Sequence, residues 1–292
     1  MIGRIILHYK LVSEADGAGL CRAEDSQLGR VVGLKFLPGG SVADDNARKH
    51  FLRDMKAIAA LHHDNICAVH GIYQTTDGQW FIAMDYHEGE TIRQLLSHGP
   101  LDPDQSLGLI AQIADGLEQA HRAQVLHGGI APDSVVVTPD GVAKILDFGL
   151  VDVVPAGIIH SPDYASPEEI RGDKLDARSD IFSFGIVCYE MLSGAHPFRG
   201  PEETVSERIL NETPPRLTGV NEPLDPIIQK MLAKNPMERY ADLEHVMRDL
   251  ANLHAPAPVQ HVATHQRRMT IMLVAAIVVV ATLMFWFSFH NR

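Results

Sequence analysis

Residues 271–289 read IMLVAAIVVVATLMFWFSF, a run in which only Thr282 and Ser288 are polar. As an α-helix rising about 1.5 Å per residue it would reach roughly 28 Å, close to the hydrocarbon core of a bilayer. A buried core helix would ordinarily be shorter and keep a polar face. We therefore expect a transmembrane helix over residues 269–289, with Trp286 suited to the far interface. Arg267 and Arg268 precede the run and only Arg292 follows it, so the positive-inside rule places the preceding residues in the cytoplasm. The N-terminus, MIGRIILHYK, has too short an apolar run for a signal peptide. The expectation is a cell-membrane protein held once by its tail, with residues 255–268 as linker and 290–292 as a short tail.

The rest of the chain has an ordinary globular composition. Over 292 residues, 46% are hydrophobic and 21% charged, which excludes collagen-like and disordered classes and leaves ample length for a two-lobed core. Cys21, Cys67 and Cys188 are too far apart for a C-x-x-C pair and read as reduced thiols. Lys plus Arg number 25 against 37 Asp plus Glu. That balance argues against nucleic acid as a partner, which would need a basic footprint. All 37 acidic residues and 22 of the basic ones precede residue 255, so the domain carries −15 and the remainder +3.

Short apolar or β-branched runs at 9–13, 20–23, 31–37, 69–73 and 80–85 predict five strands. Between the third and fourth, Asp44, Asp45 and Asn46 supply helix-start signals, and Phe51, Met55, Ile58 and Ala59 recur at helical spacing. Beyond residue 90 the pattern turns helical, with Leu107, Ile110, Ile113, Ala114 and Leu117 on one face. A small β excursion is expected at Val135–Val137 and 143–146, and further helices at 179–192 and 242–253. The fold class is thus α+β, strands first and helices after.

In order along this pattern come Val32-Gly33-Leu34-Lys35, Asp147-Phe148-Gly149, Ser166-Pro167-Glu168, Asp180-Ile181-Phe182-Ser183-Phe184-Gly185 and Arg239. The set resembles the protein-kinase signatures V-A-x-K, D-F-G, A-P-E, D-x-x-S-x-G and a late arginine. Ala23-Glu24-Asp25, Leu28-Gly29-Arg30, Asn65-Ile66-Cys67 and Glu88-Gly89-Glu90-Thr91 look like the bacterial branch of eukaryotic-type Ser/Thr kinases. The resemblance implies a two-lobed domain over 1–254, with an N-lobe of about residues 1–86 and a C-lobe of about 87–254. It also implies ATP and Mg²⁺ as ligands and a protein as substrate or partner. Lys35, mid-strand among apolar residues, would hold the nucleotide phosphates, and Asp147 would bind Mg²⁺. The blander reading of Asp147 is an Asx turn. Met84-Asp85-Tyr86-His87 would be gatekeeper and hinge, with Leu20, Gly33 and Val136 also at the nucleotide. Asp54 occupies the position of the helix glutamate that pairs with the lysine. Ile58, His127 and Phe148 match the hydrophobic spine, Asp180 an anchor in the central helix, and Glu168 with Arg239 a buried ion pair.

The departures from that family are selective. The three glycine-loop positions fall on Ser13, Ala15 and Ala18, and a slip to Gly17 or Gly19 still gives no G-x-G-x-x-G. Asp54 is one C–C bond shorter than glutamate. Where the family has H-R-D-x-K-x-x-N, this chain reads His127-Gly128-Gly129-Ile130-Ala131-Pro132-Asp133-Ser134. Gly129 cannot act as a base, Ala131 cannot steady a phosphoryl group, and Ser134 is a poor second metal ligand. Asp133 lies four positions past the base and is not expected to replace it. General acid–base catalysis is worth roughly 10²–10⁴ in rate, so no intact catalytic site is expected. In residues 147–168 the acceptors are Ser161, Tyr164 and Ser166. The reading is a membrane-anchored pseudokinase that binds ATP and regulates or scaffolds partners. The alternatives are a slow Ser/Thr kinase and a nucleotide-free membrane adaptor.

Overall fold

The computed structural model describes residues 2–39, 45–150, 161–200 and 205–254. Residues up to Leu253 form one compact unit. The expected linker, span and tail at 255–292 lie outside the described residues. Among the described residues no helix is long and apolar enough to cross a membrane.

The first part is a six-stranded antiparallel sheet in the order β1-β2-β3-β4-β6-β5. Its strands are β1 (Ile5–Ile6), β2 (Tyr9–Ala15), β3 (Cys21–Asp25), β4 (Arg30–Phe36), β5 (Val69–Gln74) and β6 (Trp80–Asp85). Alternation along the strands gives the sheet two faces. Tyr9, Leu11, Ala23, Val32, Leu34 and Phe81 form one small core. On β4 the intervening residues Gly33 and Lys35 stand opposite Met84 and Ile82 of β6. Helix α1 (Asp45–Ala59) follows β4 and buries Phe51, Met55 and Ile58, the i, i+4, i+7 stripe that the sequence predicts.

After β6 come β7 (Glu90–Thr91) and α2 (Ile92–Leu96), and β7 pairs with β8 (Val135–Val137), which pairs in turn with β9 (Ala143–Ile145), in a second sheet. Gly89 makes this join possible, since a Cβ there would lie 2.2 Å from the Val137 carbonyl oxygen. Helix α3 (Pro103–Arg122) begins on the Asp102 side-chain cap with Pro103 in its first turn. Helix α5 (Ala177–Ser193) is capped by Asp176, ends at a left-handed Gly194, and is buried from Ser179 to Leu192. It packs against α3, α4 (Pro167–Arg171) and α7 (Asp225–Met231), and α6 (Val205–Asn211) and α8 (Leu243–His254) complete the helical part. The expected strands and long helices are all present. Strand β1 and the short β7, α2, α4, α6 and α7 are additions, each too brief to show a period in sequence.

Candidate active site

Lys35 and Asp147 are 112 residues apart in sequence and meet between the two parts of the fold, the ammonium donating to Asp147 Oδ2. Lys35 Nζ also donates to the Ala18 carbonyl at 3.1 Å. Both side chains are nearly buried, 10% and 4% exposed, so each neutralises a charge that would be costly alone. Asp147 and Gly149 both sit at positive φ, +66° and +68°. These two left-handed residues turn the chain sharply around Phe148, whose ring lies 4.8 Å from that of His127. Asp147 Oδ1 is buried with no hydrogen-bond partner among the described residues. The carboxylate is therefore not an Asx cap. One orphaned carboxylate oxygen fits Mg²⁺, which takes one or two carboxylates together with phosphate oxygens and water.

Lys35 thus finds its carboxylate on Asp147. Asp54 lies within α1, but its side chain is outside the described residues, as is the expected pairing. Leu20 and Gly33 meet at the cleft, where a Cβ on Gly33 would sit 3.3 Å from Leu20 Cδ1 and 3.4 Å from the Asp85 carbonyl. A bulkier roof residue is matched by a smaller neighbour. Met84 is buried, 3% exposed. Asp85 turns its carboxylate to His70 Nε2 at 2.8 Å, while its carbonyl accepts the Cys67 thiol at 3.2 Å. The hinge residue is accordingly tied to β5 through His70, and its N–H donates to the Ala68 carbonyl at 2.9 Å. Tyr86 lies under the Arg22 guanidinium, 5.6 Å from the ring centroid. Burial, reinforced by the charge of Lys144, lowers the His87 pKa below the ordinary imidazole value. Val136 is buried on β8.

In the loop at 127–134 the one carboxylate and the one hydroxyl are both taken up by structure. The Ser134 hydroxyl donates to the Ala131 carbonyl at 2.8 Å and accepts from the Ala131 N–H at 3.0 Å. Ser134 is 2% exposed, and its hydroxyl is spent on its own loop. Asp133 Oδ2 accepts from Arg93 Nε at 3.3 Å. Arg93 also donates to Glu190 Oε1 at 3.1 Å and to the Tyr164 hydroxyl at 2.6 Å. Asp133 therefore belongs to an ion-pair cluster with Arg93 and Glu190. Gly129 and Ala131 are buried.

The supporting groups are assembled. Asp180 accepts from the N–H groups of His127 and Gly128 at 2.8 Å each and from His121 Nε2 at 2.8 Å. Burial alone would raise its pKa, but these donors and the nearby histidines hold it below the usual carboxylate range. Burial lowers the His127 pKa, and the neutral ring donates from Nε2 to the Leu146 carbonyl at 2.8 Å. Ile58 is buried against the same cluster as Phe148. Glu168 and Arg239 form a fork, Nη1 to Oε1 at 2.6 Å and Nη2 to Oε2 at 2.8 Å, with Ser179 donating to Oε1 at 2.8 Å. Against the burial that opposes it, Arg239 and Ser179 bring the Glu168 pKa below the ordinary value. Of the three hydroxyls in the activation segment, Tyr164 and Ser166 are buried and Ser161 is exposed. Residues 151–160 lie outside the described residues.

A strand-rich lobe and a helical lobe meeting at a lysine–aspartate pair define the kinase-like class of fold. The protein kinase domain family matches residues 17–250, and the chain belongs to that family, in the bacterial eukaryotic-type Ser/Thr branch. It is 32% identical over 253 residues to the serine/threonine-protein kinase PknB of Mycobacterium leprae, covering 81% of this chain and 41% of that protein. With PknL of Mycobacterium tuberculosis it shares 33% identity over 278 residues, covering 87% of this chain and 69% of the relative. The chain thus spans under half the length of the PknB relatives. The crystal structure of the M. tuberculosis PknI kinase domain superposes with a TM-score of 0.72 at 24% identity, covering 88% of this chain and 99% of that one. That likeness is one of fold. Members of the family generally use ATP and Mg²⁺.

Sequence reasoning missed Asp16, whose carboxylate accepts the N–H groups of Ala18 and Leu20 at 2.9 Å each. Its signal was present in the turn pattern Asp16-Gly17-Ala18-Gly19, with Asp at the first turn position and Gly at the fourth.

Proposed function

We propose that this chain is a membrane-anchored pseudokinase, a kinase fold that takes nucleotide without transferring its phosphate and acts by holding or regulating a protein partner. The observation that carries the reading is the state of the loop at 127–134. Its one carboxylate, Asp133, is engaged by Arg93, its hydroxyl is engaged by Ala131, and the base position is Gly129. Bound Mg-ATP would supply charge and shape at the cleft. Lys35 would meet its phosphates, Asp147 Oδ1 its metal, and the hinge backbone its base, so occupancy can bias which shape a partner meets. The apolar run at 271–289 would hold the domain at the cytoplasmic face, and its acidity favours a protein partner over nucleic acid.

The alternative of a slow Ser/Thr kinase draws on the assembled Lys35–Asp147 pair, and one measurement decides between the two. The full chain, incubated with γ-labelled ATP, Mg²⁺ and generic protein acceptors, should incorporate no label. Incorporation that Asp147→Asn abolishes would refute the pseudokinase reading. Anchoring is read separately, since the protein should resist alkaline extraction from membranes and be released when residues 269–289 are deleted.

A further inference from the structure

The hairpin between β2 and β3 lies where a kinase binds nucleotide phosphates through backbone N–H groups and the β4 lysine. Here those donors are used within the chain. Asp16 Oδ1 accepts from Ala18 N and Leu20 N at 2.9 Å each. Asp16 N donates to the Leu20 carbonyl at 2.9 Å, and Gly19 N to the Asp16 carbonyl at 3.0 Å. Four of the five amides from Asp16 to Leu20 are thereby paired inside the hairpin, with Gly19 supplying the left-handed φ of +74° that closes it. Lys35 is engaged as well, by the Ala18 carbonyl at 3.1 Å and by Asp147.

The hairpin tip also rests on the opposite lobe. A Cβ on Gly17 would lie 2.6 Å from Cδ and Nε2 of Gln94 in α2, and Gln94 is itself fixed by the Thr91 N–H on Oε1 at 2.8 Å. Ala18 is buried, 6% exposed. The tip bridges the mouth of the cleft from β3 to α2.

A carboxylate that collects two backbone N–H groups in a phosphate cradle has the charge and acceptor geometry of a phosphate oxygen. It competes for the same donors and repels a polyphosphate at close range. We propose that Asp16 is an internal stand-in for a nucleotide phosphate that sets the affinity of the cleft for nucleotides, which enter by displacing it. The proposal rests on the reading that the cleft takes nucleotide, and it is independent of whether phosphate is transferred.

The test compares the wild-type full chain in detergent with Asp16→Asn and Asp16→Gly, measuring Kd for Mg-ATP and for adenosine by calorimetry. Asparagine keeps an acceptor and removes the charge, so it guards against a loop that fails to fold. Both variants should bind Mg-ATP about tenfold more tightly or better, while adenosine, which has no phosphate, should bind all three proteins alike. Unchanged or weaker Mg-ATP binding would overturn the role of Asp16 and leave the nucleotide reading standing. An equal gain for adenosine would overturn it too, since the loop would then exclude any occupant. Failure of all three proteins to bind either compound would sink both the role of Asp16 and the nucleotide reading.

Discussion

Lys35 shows how one residue serves structure and site together. In the cleft it neutralises Asp147, and both are almost removed from water. Lys35→Met would leave the carboxylate buried and unpaired, so it should cost roughly 3–5 kcal/mol of stability without any nucleotide present. Denaturant unfolding of the nucleotide-free chain reads this directly. Ser134→Ala should cost less, about 1–2 kcal/mol for two hydrogen bonds within one loop, and should leave any Mg²⁺ dependence of nucleotide binding unchanged. An altered Mg²⁺ dependence would show that the hydroxyl does reach the metal. Lys35 and Asp147 could be found from sequence because their positions within short motifs mark them. The role of Ser134 could not, because it depends on which way its side chain turns relative to its own backbone, and the pattern around Asp16 marks a turn without showing that the carboxylate collects the loop amides. A serine that caps its loop and a serine that reaches into a cleft look alike as letters.

The fork of Arg239 onto Glu168 ties α4 to the segment before α8 and to α5 through Ser179. Arg239→Ala strands a carboxylate that is 5% exposed, and should cost about 3–5 kcal/mol. Glu168 and Asp180 both have depressed pKa values in the folded chain. Their contribution is therefore complete above the ordinary carboxylate range and disappears as pH falls through the lower folded values. The melting temperature should fall on acidification below about pH 4.5, and the acid-induced part of that fall should shrink in Arg239→Ala. At this scale the sequence was most informative for α1, α3 and α5, which are long enough to show either a repeated apolar face or a continuous apolar run. It was silent about α2, although α2 carries both Arg93, which captures Asp133, and Gln94, which meets the hairpin tip. Five residues are too few for a helical period, and α2 owes its start to the Thr91–Gln94 capping box.

Across the whole molecule the departures from the family pattern lie in both lobes, so under the proposed reading the effect of reversing one should depend on the other. Gly129→Asp, Ala131→Lys and Ser134→Asn together would return the groups of the helical lobe, yet Asp16 would still occupy the phosphate cradle of the strand-rich lobe. The triple variant should transfer label slowly, and adding Asp16→Asn should raise its rate at subsaturating ATP, a coupling that the four-way comparison of labelled products measures. Equal rates with and without Asp16 would show that the two lobes do not interact in this way. Position 128 stands apart from these three. Gly128 has φ of +72° with its N–H fastened to Asp180, so an arginine placed there would take on roughly 1–2 kcal/mol of left-handed backbone strain. Three of the departures are changes of side chain that single substitutions could undo. The fourth is set in the main chain, where any side chain added at Gly128 meets the cost of a left-handed backbone.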